Sequence, residues 1–222
     1  MESVKNRILS RIYGRGRGWC FTPNDFSGDF KRWEIGNSLE DLVKLDKIRR
    51  IARGLYDYPI FSNILNKNVA PDMEQVAFAL ARKFSWRIQP SGETALNYLE
   101  LSTQIMGKYI YLSDGPSKTY DILGQTLEFK HHIYREAAIS DKKTMLVVQA
   151  IKSIGENNIT SEFLYKLENK FNAEEWLKIK KNSTKATGWV YKIISEIADK
   201  KDKYPCRQFK EYSHISIKEN GR

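Results

Sequence analysis

The sequence predicts an α+β protein: a small N-terminal set of helices closed by a β-hairpin, then a mixed α+β region, then a helical C-terminal part. Three observations carry this. Apolar residues recur at helical spacing over residues 4–12 and 35–43, and two β-rich runs joined at Arg53-Gly54 follow directly. Strand-like runs at 109–112, 120–123 and 126–129 are separated by turn residues. From Thr144 onward the apolar pattern is helical.

Val4, Ile8, Leu9 and Ile12 define a first helix over 3–13, with Ser3 as its N-cap and Gly14 as its stop. Gly14-Arg15-Gly16-Arg17-Gly18 has neither a preceding strand nor a closing Gly-Lys-Ser/Thr, so it reads as a flexible basic turn and not a nucleotide loop. Trp19-Cys20-Phe21 is a short strand. Thr22-Pro23-Asn24-Asp25 opens a second short helix, with a Thr cap, Pro at the first helical position and a carboxylate near the positive helix end. In a third helix Ile35, Leu39, Leu42 and Val43 form one buried stripe, leaving Arg32, Asn37, Glu40 and Lys44 outward, with Gly36 costing about 1 kcal/mol against Ala. Residues 47–59 then read as a hairpin closed by Pro59. Helix, strand, helix, helix, hairpin is the order of a winged helix-turn-helix, in which the third helix enters the major groove and the hairpin meets the backbone or minor groove.

A polar, asparagine-rich linker is expected over 61–71. Beyond it Asp72 caps a helix bearing Val76, Ala77, Leu80, Ala81 and Phe84, residues 87–89 form a brief strand, and Ser91 caps another helix. Helices are expected over 145–154, 162–171, 173–181 and 189–198. The predicted domains are therefore a winged-helix domain, residues 1–62, and an α+β domain with a helical tail, residues 70–222.

The chain has 222 residues, 41% of them hydrophobic, and a net charge of +10, which favours an anionic partner. The charge is unevenly placed. Residues 1–66 hold 12 Lys or Arg against 8 Asp or Glu, residues 67–162 hold 11 against 11, and residues 163–222 hold 14 against 8. The lysine-rich C-terminal end also reads simply as a solvated helical surface. No apolar run is long enough for a membrane span and the polar start lacks a signal-peptide core, so a cytoplasmic protein with no membrane partner is expected. Cys20 and Cys206 have no metal-ligand spacing and read as reduced structural cysteines. Neither a metal nor a cofactor is expected.

Double-stranded DNA is the partner the N-terminal residues imply, because cations placed against its phosphates release counterions. The candidate DNA-binding residues are Arg15 and Arg17 in the turn, Arg32, Asn37 and Lys44 on the third helix, and Arg49, Arg50 and Arg53 in the wing. Asn pairs naturally with adenine and Arg with guanine. Strand alternation sends Arg49 and Arg53 to one face and Arg50 to the other, and one of the three is expected to close a salt bridge with Asp46 or Asp57. Glu34, Glu40 and Asp41 make this helix less basic than many recognition helices.

The run Phe21-Thr22-Pro23-Asn24-Asp25-Phe26, with Ile48-Arg49-Arg50-Ile51-Ala52-Arg53-Gly54-Leu55-Tyr56-Asp57-Tyr58-Pro59, resembles the N-terminal winged-helix domain of AbiEi-type antitoxins of abortive-infection systems. Arg87-Ile88-Gln89-Pro90-Ser91-Gly92 and Leu101-Ser102-Thr103-Gln104 are similar to the second domain of one branch of that family, so the resemblance covers about residues 1–150. It implies a repressor of its own operon, encoded beside a nucleotidyltransferase-like toxin that it counters without necessarily touching it.

Two other readings share parts of this sequence. A winged-helix transcription regulator with a sensing or dimerisation domain has every N-terminal feature. A metal-dependent nuclease would use Asp114 with Glu128-Phe129-Lys130, two carboxylates for Mg²⁺ and an assisting lysine. The expectation is that the chain is not an enzyme, since an ExK triplet arises often by chance in a chain that is 29% charged. The adjacent His131 and His132 face opposite ways on a strand, and His214 stands alone.

Overall fold

The computed structural model describes residues 3–102, 107–131, 139 and 141–203; Cys206, His132, His214 and the end of the basic tail lie outside the described residues. Among those described are eight α-helices and nine strands in three sheets, a mixed α+β architecture with a helical C-terminal part.

The N-terminal elements follow the expected order. Helix α1 (Val4–Arg15) starts where Ser3 Oγ accepts the Asn6 amide at 3.3 Å, and it runs through the expected stop at Gly14 to end at Gly16. Strand β1 (Cys20–Phe21) leads into a one-turn 3₁₀ stretch, Pro23–Phe26, in place of the second α-helix. Asp25 accepts the Thr22 amide at 2.8 Å, which closes a capping box. Helix α2 (Arg32–Lys44) is the expected third helix and buries Ile35, Leu39 and Leu42. Strands β2 (Arg49–Ala52) and β3 (Leu55–Asp57) form the hairpin, and the sheet order β1-β3-β2, all antiparallel, is that of a winged helix. Gly54, at φ 68, makes the tight turn that an L side chain would strain.

All three residues of β3 are buried, although alternate side chains on a strand point to opposite faces, so both faces of this sheet are covered. Phe21 and Tyr56 pack with Phe26 and the apolar stripes of α1 and α2 on one face. Helix α3 (Met73–Phe84), capped by Asp72 as expected, lies against β1 and the 3₁₀ turn. Its Arg82 donates from Nε to Asp25 at 2.7 Å and from Nη2 to the Cys20 carbonyl at 2.9 Å. The segment expected as a linker contains a second hairpin, β4 (Phe61–Ser62) with β5 (Lys67–Asn68), whose tip residue Ile64 is 97% exposed.

The third sheet has the order β6-β7-β9-β8, from β6 (Ile88–Pro90), β7 (Lys108–Ser113), β8 (Lys118–Ile122) and β9 (Gln125–His131). Strands β7 and β9 run parallel, while β8 and β9 are joined at Leu123-Gly124, both at positive φ, as a two-residue hairpin turn requires. By contact the chain divides into one unit of Met1–Ile88 with Gly107–Ile133 and another of Gln89–Met106 with Tyr134–Arg222. That division departs from the expected boundary near residues 62–70. The physical reason is that α3 buries its apolar face on the winged-helix sheet, and β8 lies against β2, so both join the first unit.

The second unit is helical: α4 (Gly92–Tyr98), α5 (Lys142–Ile154), α6 (Ser161–Glu168), α7 (Ala173–Asn182) and α8 (Gly188–Lys203). Its core is built on Trp176, whose indole N–H donates to the Glu168 carbonyl at 3.0 Å, with Val147, Ile151, Leu167, Val190 and Ile194. Several lysines of this end are paired, Lys180 with Asp199 at 2.6 Å and Lys200 with Glu168 at 3.0 Å.

Candidate nucleic-acid interface

The eight expected DNA-binding residues fall into two groups. Arg32, Asn37 and Lys44 on α2, with Arg50 and Arg53 in the wing, are exposed and hold no side-chain hydrogen bond or ion pair among the described residues. Arg15, Arg17 and Arg49 are engaged within the fold. Arg15 lies over the Trp19 ring at 5.7 Å, and Arg17 lies over Tyr58 at 4.7 Å while donating to the Pro59 carbonyl at 2.8 Å. Tyr58 and Pro59 follow β3 at the end of the sheet away from the Arg53-Gly54 turn. The structure thus keeps the Gly-Arg turn apart from the wing tip.

Arg49 donates to Asp57 from Nε at 3.0 Å and from Nη2 at 2.6 Å, and a further bond runs from Nη2 to the Val69 carbonyl at 3.0 Å. It is the wing arginine that closes the salt bridge. A register shift between Arg50 and Ala52 interrupts simple alternation beyond it. Arg50 stays exposed on this edge strand, and Arg53 stands at the turn.

Two cations that were not among the sequence candidates join the wing. A Cβ built on Gly54 would stand 3.7 Å from Lys83 Nζ, so this ammonium from the end of α3 sits under the wing turn. Lys118 of β8 lies over the Phe84 and Tyr120 rings, and Lys83 shares the Phe84 ring. The cations beside the wing therefore come from β2, α3 and β8, segments up to about seventy residues apart in sequence.

On α2 the exposed stripe is Trp33, Asn37, Glu40 and Lys44, one above another at helical spacing. Trp33 is 64% exposed, and its ring takes no part in the Trp19, Phe21, Phe26 and Tyr56 cluster beneath. Asp41 is turned toward Lys5 at 3.8 Å, and Glu34 accepts the Lys31 amide at 2.9 Å, so two of the three acidic residues on this helix have local partners.

The carboxylates of the nuclease reading are not brought together. Asp114 accepts the Arg87 amide at 2.8 Å, beyond the end of β7, whereas Glu128 pairs with Ile110 in the parallel register, four residues back along that strand. That offset is about 13 Å, too far for one metal ion. Lys108 donates to Glu128 and holds its carboxyl below the usual carboxylate range. Among the described residues no group of three or more His, Cys, Asp or Glu could hold a metal ion. Cys20 is fully buried, and burial first, with the charges of Asp57 and Asp72, pushes its thiol up to about 12. No helix among the described residues is long and apolar enough to cross a membrane.

Residues 7–179 match DUF6088, a family of unknown function. The chain belongs to this family. The match takes in α1, the wing and the third sheet and continues to α7, so membership in DUF6088 covers both units and not the winged helix alone. No curated protein matches the chain.

Proposed function

We propose that this chain binds double-stranded DNA through the outer face of α2 and the wing, and that it serves as the antitoxin of a bacterial toxin–antitoxin system. In this reading it represses its own operon and counters a nucleotidyltransferase-like toxin. One observation carries the DNA reading: in a winged-helix topology, Arg32, Asn37, Lys44, Arg50 and Arg53 are all exposed without internal partners. Side chains that lower their energy inside the fold are poor phosphate ligands, and these five are not so engaged. The resemblance of residues 21–26, 48–59 and 87–92 to AbiEi-type antitoxins supports the finer reading.

The full chain, titrated with the promoter fragment upstream of its own gene across a salt series, should bind with an affinity that falls steeply as salt rises. Salt-independent affinity, or none, removes the DNA reading. Co-expression with the neighbouring gene separates an antitoxin from a plain regulator: rescue from growth arrest supports the antitoxin, and arrest that persists despite expression of this chain overturns it.

A further inference from the structure

The first turns of α2 present an arrangement that phosphate contact does not explain. Trp33 is the one apolar side chain within α2 left largely in water, since Ile35, Leu39 and Leu42 are buried and Val43 is half-buried. Asn37 lies one turn further along the same face, also exposed and without a partner among the described residues. Residues four apart on a helix have Cβ atoms about 6 Å apart, which spans no more than two base-pair steps of about 3.4 Å. Indole has nothing to offer a phosphate oxygen except one N–H. Its large apolar face suits the one apolar group that the major groove displays, the thymine C5-methyl. Asn is the side chain whose amide matches adenine N7 and N6 together.

We infer that Trp33 and Asn37 read A·T base pairs: the Trp33 ring packs on a thymine methyl, and the Asn37 amide pairs with an adenine one or two steps away. This inference rests on the proposed DNA-binding reading and specifies what that surface reads. The charges on the helix fit the assignment. Glu40, next along the stripe, is repelled by phosphate but accepts from a cytosine N4 amino group, so the middle of this face, from Trp33 to Glu40, gains from approaching base edges and not from backbone contact. Arg32 at the start of α2 and Lys44 at its end supply backbone anchors, and Arg50 and Arg53 supply the rest from the wing. Trp33 and Asn37 thereby set specificity, while the cations set affinity.

The test uses the full chain and a random-sequence duplex library. The enriched duplex is remade with uracil for thymine, which removes only the methyl groups, or with 7-deazaadenine for adenine, which removes only N7. The enriched sequence should contain adjacent A·T pairs. Uracil should weaken wild-type binding about fourfold for one buried methyl, and Trp33→Ala should bind the thymine and uracil duplexes alike. Asn37→Ala should likewise lose sensitivity to 7-deazaadenine. Both positions are exposed, and an unchanged melting temperature verifies that each variant is folded. A wild type that enriches a sequence but does not distinguish thymine from uracil overturns the inference, as does a Trp33→Ala variant that still does. Salt-dependent binding without any sequence enrichment overturns it while leaving the DNA reading intact. Absence of binding at low salt removes both.

Discussion

Arg49 and Asp57, directly paired across β2 and β3, are joined by two parallel hydrogen bonds of 3.0 and 2.6 Å. The Asp57 side chain is only 2% exposed, so little water reaches it beside this guanidinium. Removing one partner of a buried pair strands the other charge. Arg49→Ala should therefore lower stability by about 3–5 kcal/mol, read as a shifted denaturant midpoint. The double variant Arg49→Ala with Asp57→Ala should lose less than the two single losses added. Simple additivity would show that the pair contributes nothing as a pair.

The exposed wing arginines should behave in the opposite way. Arg50→Ala and Arg53→Ala leave every described internal contact in place, so melting temperatures should hold, while the slope of log affinity against log salt should fall by about one for each lost phosphate contact. Lys83→Ala should reduce the slope similarly, since its ammonium sits under Gly54. A slope unchanged in all three variants would place the DNA somewhere other than the wing.

What could be read in the sequence follows from how local its causes are. The caps at Ser3, Asp72 and Ser91, the stripes of α1 and α2, and the tight turn at Arg53-Gly54 are decided within a few residues, and the structure has them where the pattern put them, whereas the turn expected at Gly124-Gln125 falls one residue earlier, at Leu123-Gly124. The hairpin at Phe61–Asn68 was hidden because two-residue strands carry no alternation to detect. The cover that α3 gives the sheet was hidden because an apolar stripe says that a face is buried without saying on what. Within the candidate site, polar residues were easily placed outward, but Trp33 was passed over, since an aromatic is ordinarily expected inside. A helical wheel would have found it, as it falls on the stripe of Asn37, Glu40 and Lys44. Lys83 and Lys118 reach the wing only through tertiary contact, which no local pattern encodes.

Two glycines separate tight packing from open space. A Cβ on Gly115 would stand 2.3 Å from Trp86 ring atoms, and that ring is held by Phe84 at 4.7 Å and Phe129 at 5.4 Å. Gly115→Ala should destabilise by about 1–3 kcal/mol through overpacking. Gly36, inside α2 with nothing within 4 Å of its Cβ position, should respond in the other direction. Gly36→Ala should stabilise by about 1 kcal/mol through helix propensity. Thermal melts of the two variants beside wild type test both signs, and a Gly115→Ala protein as stable as wild type would show that Trp86 can move aside.

Cys20 gives the fold a pH dependence that can be isolated. Its thiol, with an ordinary value of 9.0, is pushed up to about 12, chiefly by burial and then by the charges of Asp57 and Asp72, which outweigh Arg49 and Arg82. A group whose folded value lies above its unfolded value stabilises the fold fully below the unfolded value and ceases to do so as pH rises toward the folded one. Between pH 9 and about 12 the unfolded chain releases this proton and the folded chain retains it, so stability should fall across that window. Lysines and tyrosines titrate there too, and the comparison that removes them is wild type against Cys20→Ala, whose decline should be shallower. In a Cys206→Ser background, which leaves Cys20 as the one thiol, iodoacetamide at pH 8.5 should modify the denatured protein quickly and the native protein only at the rate at which it opens. Labelling of the native protein as fast as the denatured one would mean that β1 is not shielded by α3 in solution, and the covered back of the wing sheet would have to be given up with it.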